Sequence, residues 1–116
     1  MSGVRGWCPG AFTPMESGDG LVVRIRPRGG RLDAAQGRAI ADAAEAHGNG
    51  VIEVTGRAAV QLRGVSAAAH PALLADLRAA GLLDPDAAAE RRRNVMVTPF
   101  ADAEAAALAE ALEAAL

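Results

Sequence analysis

The chain has 116 residues, which suits one domain and leaves little room for a second. Its formal net charge is −2, so the composition as a whole favours neither nucleic acid nor an anionic membrane as a partner. One cysteine excludes an internal disulfide, and neither a secretory signal nor an apolar run of membrane-spanning length is present. These features predict a cytoplasmic protein. Because the net charge is slightly negative, a basic site in it would have to come from locally clustered arginines.

The first part of the chain is predicted to be irregular. Residues 1–19 are rich in glycine and proline and lack apolar periodicity, which predicts an arm or loop that ends in a turn. Residues 20–26 are the first predicted strand. Side chains alternate between the two faces of a strand, so Val23 and Ile25 share one face, and Arg24 and Arg26 share the other.

A helix is predicted after the Pro-Gly turn at residues 27–30. Asp33 is its expected N-cap, and Leu32 precedes that cap as a hydrophobic staple. We expect Gly37 to let the helix approach the sheet closely, and His47 to stabilise the carboxyl end of the helix dipole. The predicted buried stripe consists of Ile40, Ala43 and Ala44.

A hairpin over residues 51–55 and 60–64 is the clearest pattern in the sequence. The first parity is apolar and predicts a side that the helices bury: Ile52, Val54, Val60 and Leu62. The second parity is polar: Glu53, Thr55, Arg57, Gln61 and Arg63.

The remaining elements complete a recognisable order. His70 is expected in a loop before a helix that begins at Pro71, and residues 93–97 are the fourth predicted strand. Residues 101–116 predict a C-terminal helix whose leucines, Leu108, Leu112 and Leu116, pack on this domain or on an absent second half. The order βαββαβ predicts an α+β, ferredoxin-like half-domain over residues 20–100: a four-stranded antiparallel sheet with its helices on one face.

The uncovered face of that sheet is the candidate site. It is expected to carry Arg24, Arg26, Thr55, Gln61, Arg63 and Asn94. Guanidinium groups bind carboxylates bidentately and stay charged at any working pH, so an anionic ligand suits this face. The alternative to a binding site is a solvated polar surface, because an antiparallel sheet can expose one face to water.

Three segments resemble a known family. LVVRIRPRGG, EVTGRAAVQLRG and RNVMVTP are similar, in order and spacing, to the ferredoxin-like half-domain of the nitrite and sulfite reductase superfamily. The opening RGWCPGAFTPMESGDGLVVR resembles the N-terminal region of the precorrin-3B synthases within that superfamily. The resemblance covers about residues 5–100.

The resemblance implies a tetrapyrrole ligand on the uncovered face. By motif position, Arg24 and Arg93 match arginines that contact a substrate anion, and Asn94 is adjacent. The hairpin positions that match tetrapyrrole-carboxylate contacts are Thr55, Arg57, Gln61 and Arg63. The implied substrate is precorrin-3A. The family's oxidoreductases are monooxygenases of aerobic cobalamin biosynthesis, which use oxygen to hydroxylate this substrate and form a lactone on it. The complete family enzyme implies a 4Fe–4S cluster.

The sequence also departs from the family. Cys8 alone cannot supply the four thiolates of such a cluster, so no metal ligands are predicted in this chain. No matching second half-domain is present, and the chain is interpreted as an N-terminal portion that is incomplete without the missing C-terminal half or a second subunit. The alternatives are a fragment or subunit of a sirohaem sulfite or nitrite reductase, and a non-catalytic module that binds a tetrapyrrole or another anion. RNA binding is disfavoured because the central strands lack stacking aromatic residues.

Overall fold

The computed structural model describes residues 9–56, 58–92 and 103–115. Its strands are β1 (Met15–Ser17), β2 (Gly20–Ile25), β3 (Ile52–Val54) and β4 (Val60–Val65). They form an antiparallel sheet in the order β1-β2-β4-β3. The helices are α1 (Ala34–His47), α2 (His70–Ala79), α3 (Ala87–Arg92) and α4 (Ala103–Ala115), with a 3₁₀ turn at Arg28–Gly30. This open sheet with its helices confirms the α+β, ferredoxin-like class.

Strand β1 corrects the prediction for the first 19 residues. It pairs with β2 through a two-residue connection, Gly18 and Asp19, and Ser17 lies opposite Gly20. Two-residue hairpin loops with glycine and aspartate are common turn chemistry. A strand of three residues is too short to show a periodicity, so the sequence pattern does not reveal it. The predicted strand at residues 93–97 lies outside the described residues.

The core lies between one face of the sheet and helices α1 and α2. Val23, Ile25 and Leu62 are completely buried, as the alternation along their strands predicted. The helices bring the rest of the core: Ile40, Ala43 and Ala44 from α1, and Leu73 and Leu77 from α2. The opposite face of the central strands is therefore the one that the helices leave uncovered.

The predicted burial of Ile52 and Val54 is wrong. Their side chains are 41% and 85% exposed, although their register places them opposite Leu62 and Val60 on the helix side of the sheet. Strand β3 is an edge of the described sheet, and the helices that the structure describes leave these two residues exposed. Alternation therefore identified the correct face, but it carries no information about how far the helices reach.

The predicted cap of α1 is confirmed. The Asp33 carboxylate accepts from the Gln36 backbone N–H at 2.7 Å, and the Gln36 side chain accepts from the Asp33 N–H at 3.1 Å, which is a capping box. The role expected for Gly37 is wrong, because a Cβ added there would meet nothing within 4 Å. The close approach lies after the helix, at Gly48, where a Cβ would come within 2.7 Å of the Arg63 carbonyl oxygen.

Both histidines have more definite contacts than expected. His70 begins α2 rather than lying in a loop, and its Nε2 lies 2.7 Å from the Ala11 carbonyl oxygen. A carbonyl only accepts, so this ring nitrogen carries the hydrogen. His47 Nε2 lies 2.6 Å from an Asp76 carboxylate oxygen and so links α1 to α2.

Helix α4 packs on the 3₁₀ turn through a face other than its leucines. Leu108 and Leu112 are 61% and 50% exposed, whereas Ala109 and Glu113 are buried. The Gly29 N–H donates to the Glu113 carboxylate at 3.0 Å. The described leucines therefore do not pack on this domain. Among the helices that the structure describes, none is long and apolar enough to cross a bilayer.

Candidate anion-binding face of the sheet

A row of three polar side chains crosses the uncovered face of the sheet. Arg24 on β2, Gln61 on β4 and Glu53 on β3 are cross-strand partners in register. Arg24 Nε and Nη2 both donate to Gln61 Oε1, at 3.0 and 2.7 Å. The Gln61 Nε2 group donates in turn to Glu53 Oε1 at 3.1 Å. The strand pairing therefore brings these groups together, and their hydrogen bonds orient the Gln61 amide.

Arg63 extends this row to the other edge of the sheet. Its Nη1 donates to Glu53 Oε1 at 3.0 Å, its Nη2 to Ser17 Oγ at 3.2 Å, and its Nε to Asp19 Oδ2 at 3.4 Å. The connected side chains are called the polar network below: Arg24, Gln61, Glu53, Arg63, Ser17 and Asp19. The polar network joins all four strands, and its members are partly exposed rather than sealed in the interior.

A β-bulge lies near the end of β4, beside Arg63. Leu62 lies opposite Val23 and Val65 opposite Leu21, so β4 advances by three residues while β2 advances by two. The extra residue requires the left-handed conformation of Gly64, with φ 70°. The Arg63 carbonyl accepts instead from the Asn49 N–H at 2.9 Å. The bulge and the loop after α1 together hold the backbone from which the Arg63 side chain extends.

Asp19 and Arg63 of the polar network carry opposite charges at neutral pH. Partial desolvation raises the pKa of Asp19. Hydrogen bonds from Ser17 and the backbone, together with the attraction of Arg63, lower it by more, so the pKa lies below the ordinary aspartate value. The hydrogen bond to Glu53 is the largest cause that raises the pKa of Arg63. Asp19 is therefore an anion and Arg63 a cation throughout the working range.

The tip of the hairpin lies beside the polar network. The Thr55 N–H donates to the Ala59 carbonyl at 2.9 Å and closes the loop. Ala58 adopts φ 56°, a left-handed conformation that is unfavourable for a residue with a Cβ. Thr55 is partly exposed, on the polar parity of the hairpin. Arg57 lies outside the described residues.

The segment before β1 is fixed to three other elements. The Glu90 carboxylate on α3 accepts from the Ala11 and Phe12 N–H groups at 2.9 and 3.2 Å. His70 holds the Ala11 carbonyl, and the Arg24 N–H donates to the Gly10 carbonyl at 3.3 Å. Burial is the largest cause that raises the pKa of Glu90; repulsion from Asp84 raises it further, while the two N–H donors and the attraction of Arg26 lower it.

The eight predicted site residues fall into three groups. Arg24, Gln61 and Arg63 meet in the polar network, as expected for one sheet face. Thr55 borders it, whereas Arg26 is half-buried and acts electrostatically on Glu90. The structure does not describe the rest: Arg57, Arg93 and Asn94. Glu53 was placed on the polar side by the alternation but was not among the predicted site residues, although it belongs to the polar network. Ser17 and Asp19 were not predicted either, because β1 was not predicted.

A metal centre is not formed within the part of the chain that the structure describes, where no three His, Cys, Asp or Glu side chains converge. The sequence contains a single cysteine, so a four-cysteine iron–sulfur cluster does not fit the ligands that this chain offers. The polar network instead offers two guanidinium groups and an amide, which suit a carboxylate ligand.

Comparison with known proteins places this sheet in a family. Residues 13–80 match the family described as the nitrite/sulfite reductase ferredoxin-like half domain. A precorrin-3B synthase from Sinorhizobium sp is 52% identical over 69 residues, which are 60% of this chain. The match spans about 15% of the length of that relative. Because the family match covers more than half of the sequence, the chain belongs to the nitrite/sulfite reductase ferredoxin-like half-domain family.

Proposed function

We propose that the polar network binds carboxylates of a tetrapyrrole, and that this chain is the N-terminal substrate-binding portion of a precorrin-3B synthase-like oxidoreductase. The observation that carries the proposal is the meeting of Arg24, Gln61 and Arg63 on one uncovered sheet face. The similarity to a precorrin-3B synthase supports the choice of a precorrin over other anions.

The chemistry of the face suits such a ligand. Precorrin-3A carries several flexible carboxylate side chains around a large ring, and planar guanidinium groups bind carboxylates through two parallel hydrogen bonds. Strands hold those groups at a more constant spacing than loops do. Arg24 and Arg63 lie on different strands of one face, so they suit two carboxylates of the same ligand.

The role proposed for this chain is binding and orientation. The oxygen-dependent hydroxylation and lactone formation belong, in this proposal, to the complete enzyme, for which a C-terminal half or a second subunit supplies the iron ligands. Arg57, Arg93 and Asn94 are proposed, on their motif positions alone, to add further contacts to the same ligand.

The family description favours a second candidate. A sirohaem sulfite or nitrite reductase would use the same sheet face to hold the carboxylates of an iron tetrapyrrole cofactor. The two candidates differ in whether the ring carries iron. Tighter binding of sirohaem than of its iron-free form, sirohydrochlorin, would favour the reductase role.

A titration tests the carboxylate-binding role. The purified chain is titrated with uroporphyrin III, a stable polycarboxylate tetrapyrrole, and binding is followed by porphyrin fluorescence at low and high salt. We expect Arg24→Ala and Arg63→Ala each to weaken binding about tenfold, as loss of a charged hydrogen bond does. Arg38→Ala, which removes an exposed arginine from α1, is the matched control and should leave the affinity unchanged.

Two results would contradict the proposal. Equal affinity in the wild type and both network variants would remove the polar network from the binding site. A wild-type chain that does not bind uroporphyrin III at low salt would show that this half does not form a tetrapyrrole face by itself.

A further inference from the structure

Arg63 of the polar network already holds a carboxylate of the protein. Glu53 Oε1 accepts from Arg63 Nη1 and from Gln61 Nε2, at 3.0 and 3.1 Å. These donors are two of the groups that the proposed function needs for its ligand. A ligand carboxylate that takes both donors must therefore occupy the position of the Glu53 oxygen.

We propose that Glu53 is an internal competitor: it occupies Arg63 and Gln61 in the free protein, and a ligand carboxylate displaces it on binding. This inference rests on the proposed function and names a regulatory contact within the same site. Glu53 is thus a residue that sets the affinity and selectivity of the face, not a group that holds the ligand.

The position of Glu53 suits displacement. It lies at the centre of the short edge strand β3, and its side chain is 42% exposed, compared with 28% for Arg63. Exposed ion pairs contribute little net free energy, so their exchange for a ligand carboxylate costs little.

Asp19 is the less suitable competitor. Its nearer oxygen lies 3.4 Å from Arg63 Nε, a longer contact than that of Glu53, and no hydrogen bond joins it to Gln61 among the described contacts. Glu53 alone in the polar network, as the structure describes it, bridges the Arg63 and Gln61 donors. Substitution of Glu53 should therefore change ligand affinity more than substitution of Asp19.

The contact of Glu53 with Arg63 and Gln61 also predicts selectivity among carboxylate ligands. A ligand with one carboxylate gains a single contact and must break the Glu53 bridge to make it. A ligand with several carboxylates also engages Arg24, and its added contacts offset the lost bridge. The face should therefore discriminate against monocarboxylates, and loss of the Glu53 charge should reduce that discrimination.

The test compares Glu53→Gln with the wild-type chain in the uroporphyrin III titration. We expect Glu53→Gln to bind about three- to tenfold more tightly, because it removes the competing charge and preserves the shape of the side chain. Glu45→Gln changes the net charge equally at an exposed position on α1 and should have no effect. In an Arg63→Ala background the gain from Glu53→Gln should be clearly smaller, because only the Gln61 donor is then released.

A second probe separates this inference from the proposed function. Citrate is titrated into the wild type and Glu53→Gln while the NMR signal of the Arg63 Nε–H group is followed. We expect a stronger response to citrate in Glu53→Gln even if uroporphyrin III binds neither protein, in which case only the proposed function fails. Equal citrate affinity of the two proteins, including no binding by either, would overturn the role of Glu53. A gain in uroporphyrin III affinity that is undiminished in the Arg63→Ala background would overturn it as well.

Discussion

Arg63 reaches Glu53, Ser17 and Asp19 from a strand that contains an extra residue at Gly64. Sequence alternation placed Arg24, Gln61 and Arg63 on one face, because that inference needs only the period of two. The hydrogen bonds among them depend on strand register and on the bulge. Neither is visible in a single run of residues, so the polar network itself was not predicted.

Replacement of Gly64 tests the bulge. Gly64→Ala should lower the free energy of unfolding by at least about 1–2 kcal/mol, because its φ of 70° disfavours a Cβ. That Cβ would also lie 2.8 Å from the Asn49 Cβ. Gly37→Ala is the matched control: it has open space inside α1 and should raise the free energy by up to about 1 kcal/mol. Urea unfolding measures both, and equal effects of the two substitutions would contradict the structure.

At the scale of elements, α3 is held to the segment before β1 by one carboxylate. The pKa of Glu90 is raised above the ordinary glutamate value of 4.5, chiefly by burial. A raised pKa in the folded state means that the associated stabilisation is present below 4.5 and is lost as the pH rises through the raised value. Burial of the Glu90 side chain should therefore cost the fold least in acid, where its carboxyl group is protonated.

Glu90→Gln tests that pH dependence. The free energy of unfolding of the wild type, minus that of Glu90→Gln, should fall as the pH rises from about 4 to about 7. The expected fall is at most about 1 kcal/mol, because the carboxylate is partly exposed and screened by solvent. Urea unfolding across this pH range measures both free energies. The contributions of the other titrating groups are the same in both proteins and cancel in the difference. A difference that rises with pH would contradict the raised pKa.

The edge strand shows what an alternation pattern leaves open. Leu62 is completely buried and Val54 is 85% exposed, although both face the helix side of the sheet. Leu62→Ala should therefore lower the free energy of unfolding by about 2–5 kcal/mol, and Val54→Ala by less than about 1 kcal/mol. Thermal or urea unfolding measures the pair. A cost for Val54→Ala that approaches that of Leu62→Ala would show that another element covers β3.

At the scale of the molecule, the sheet has one face that packs against the helices in the core and one face that carries the polar network. The α+β class, the buried stripe of α1 and its Asp33 cap followed from local patterns, because period, cap chemistry and turn residues act over a few positions. Strand β1, the reach of the helices over β3 and the packing of α4 did not follow. Strand β1 is too short to show a periodicity, and the other two features depend on contacts between segments far apart in the sequence.

A map of backbone chemical shifts tests the central claim, that the uncovered sheet face is the tetrapyrrole-binding surface. Uroporphyrin III is added to the ¹⁵N-labelled chain, and the amide signals are compared with those of the free protein. We expect the largest changes at Arg24, Glu53, Gln61 and Arg63, and small changes at exposed α1 positions such as Arg38 and Glu45. Changes confined to the helices, with the strand signals unmoved, would contradict it.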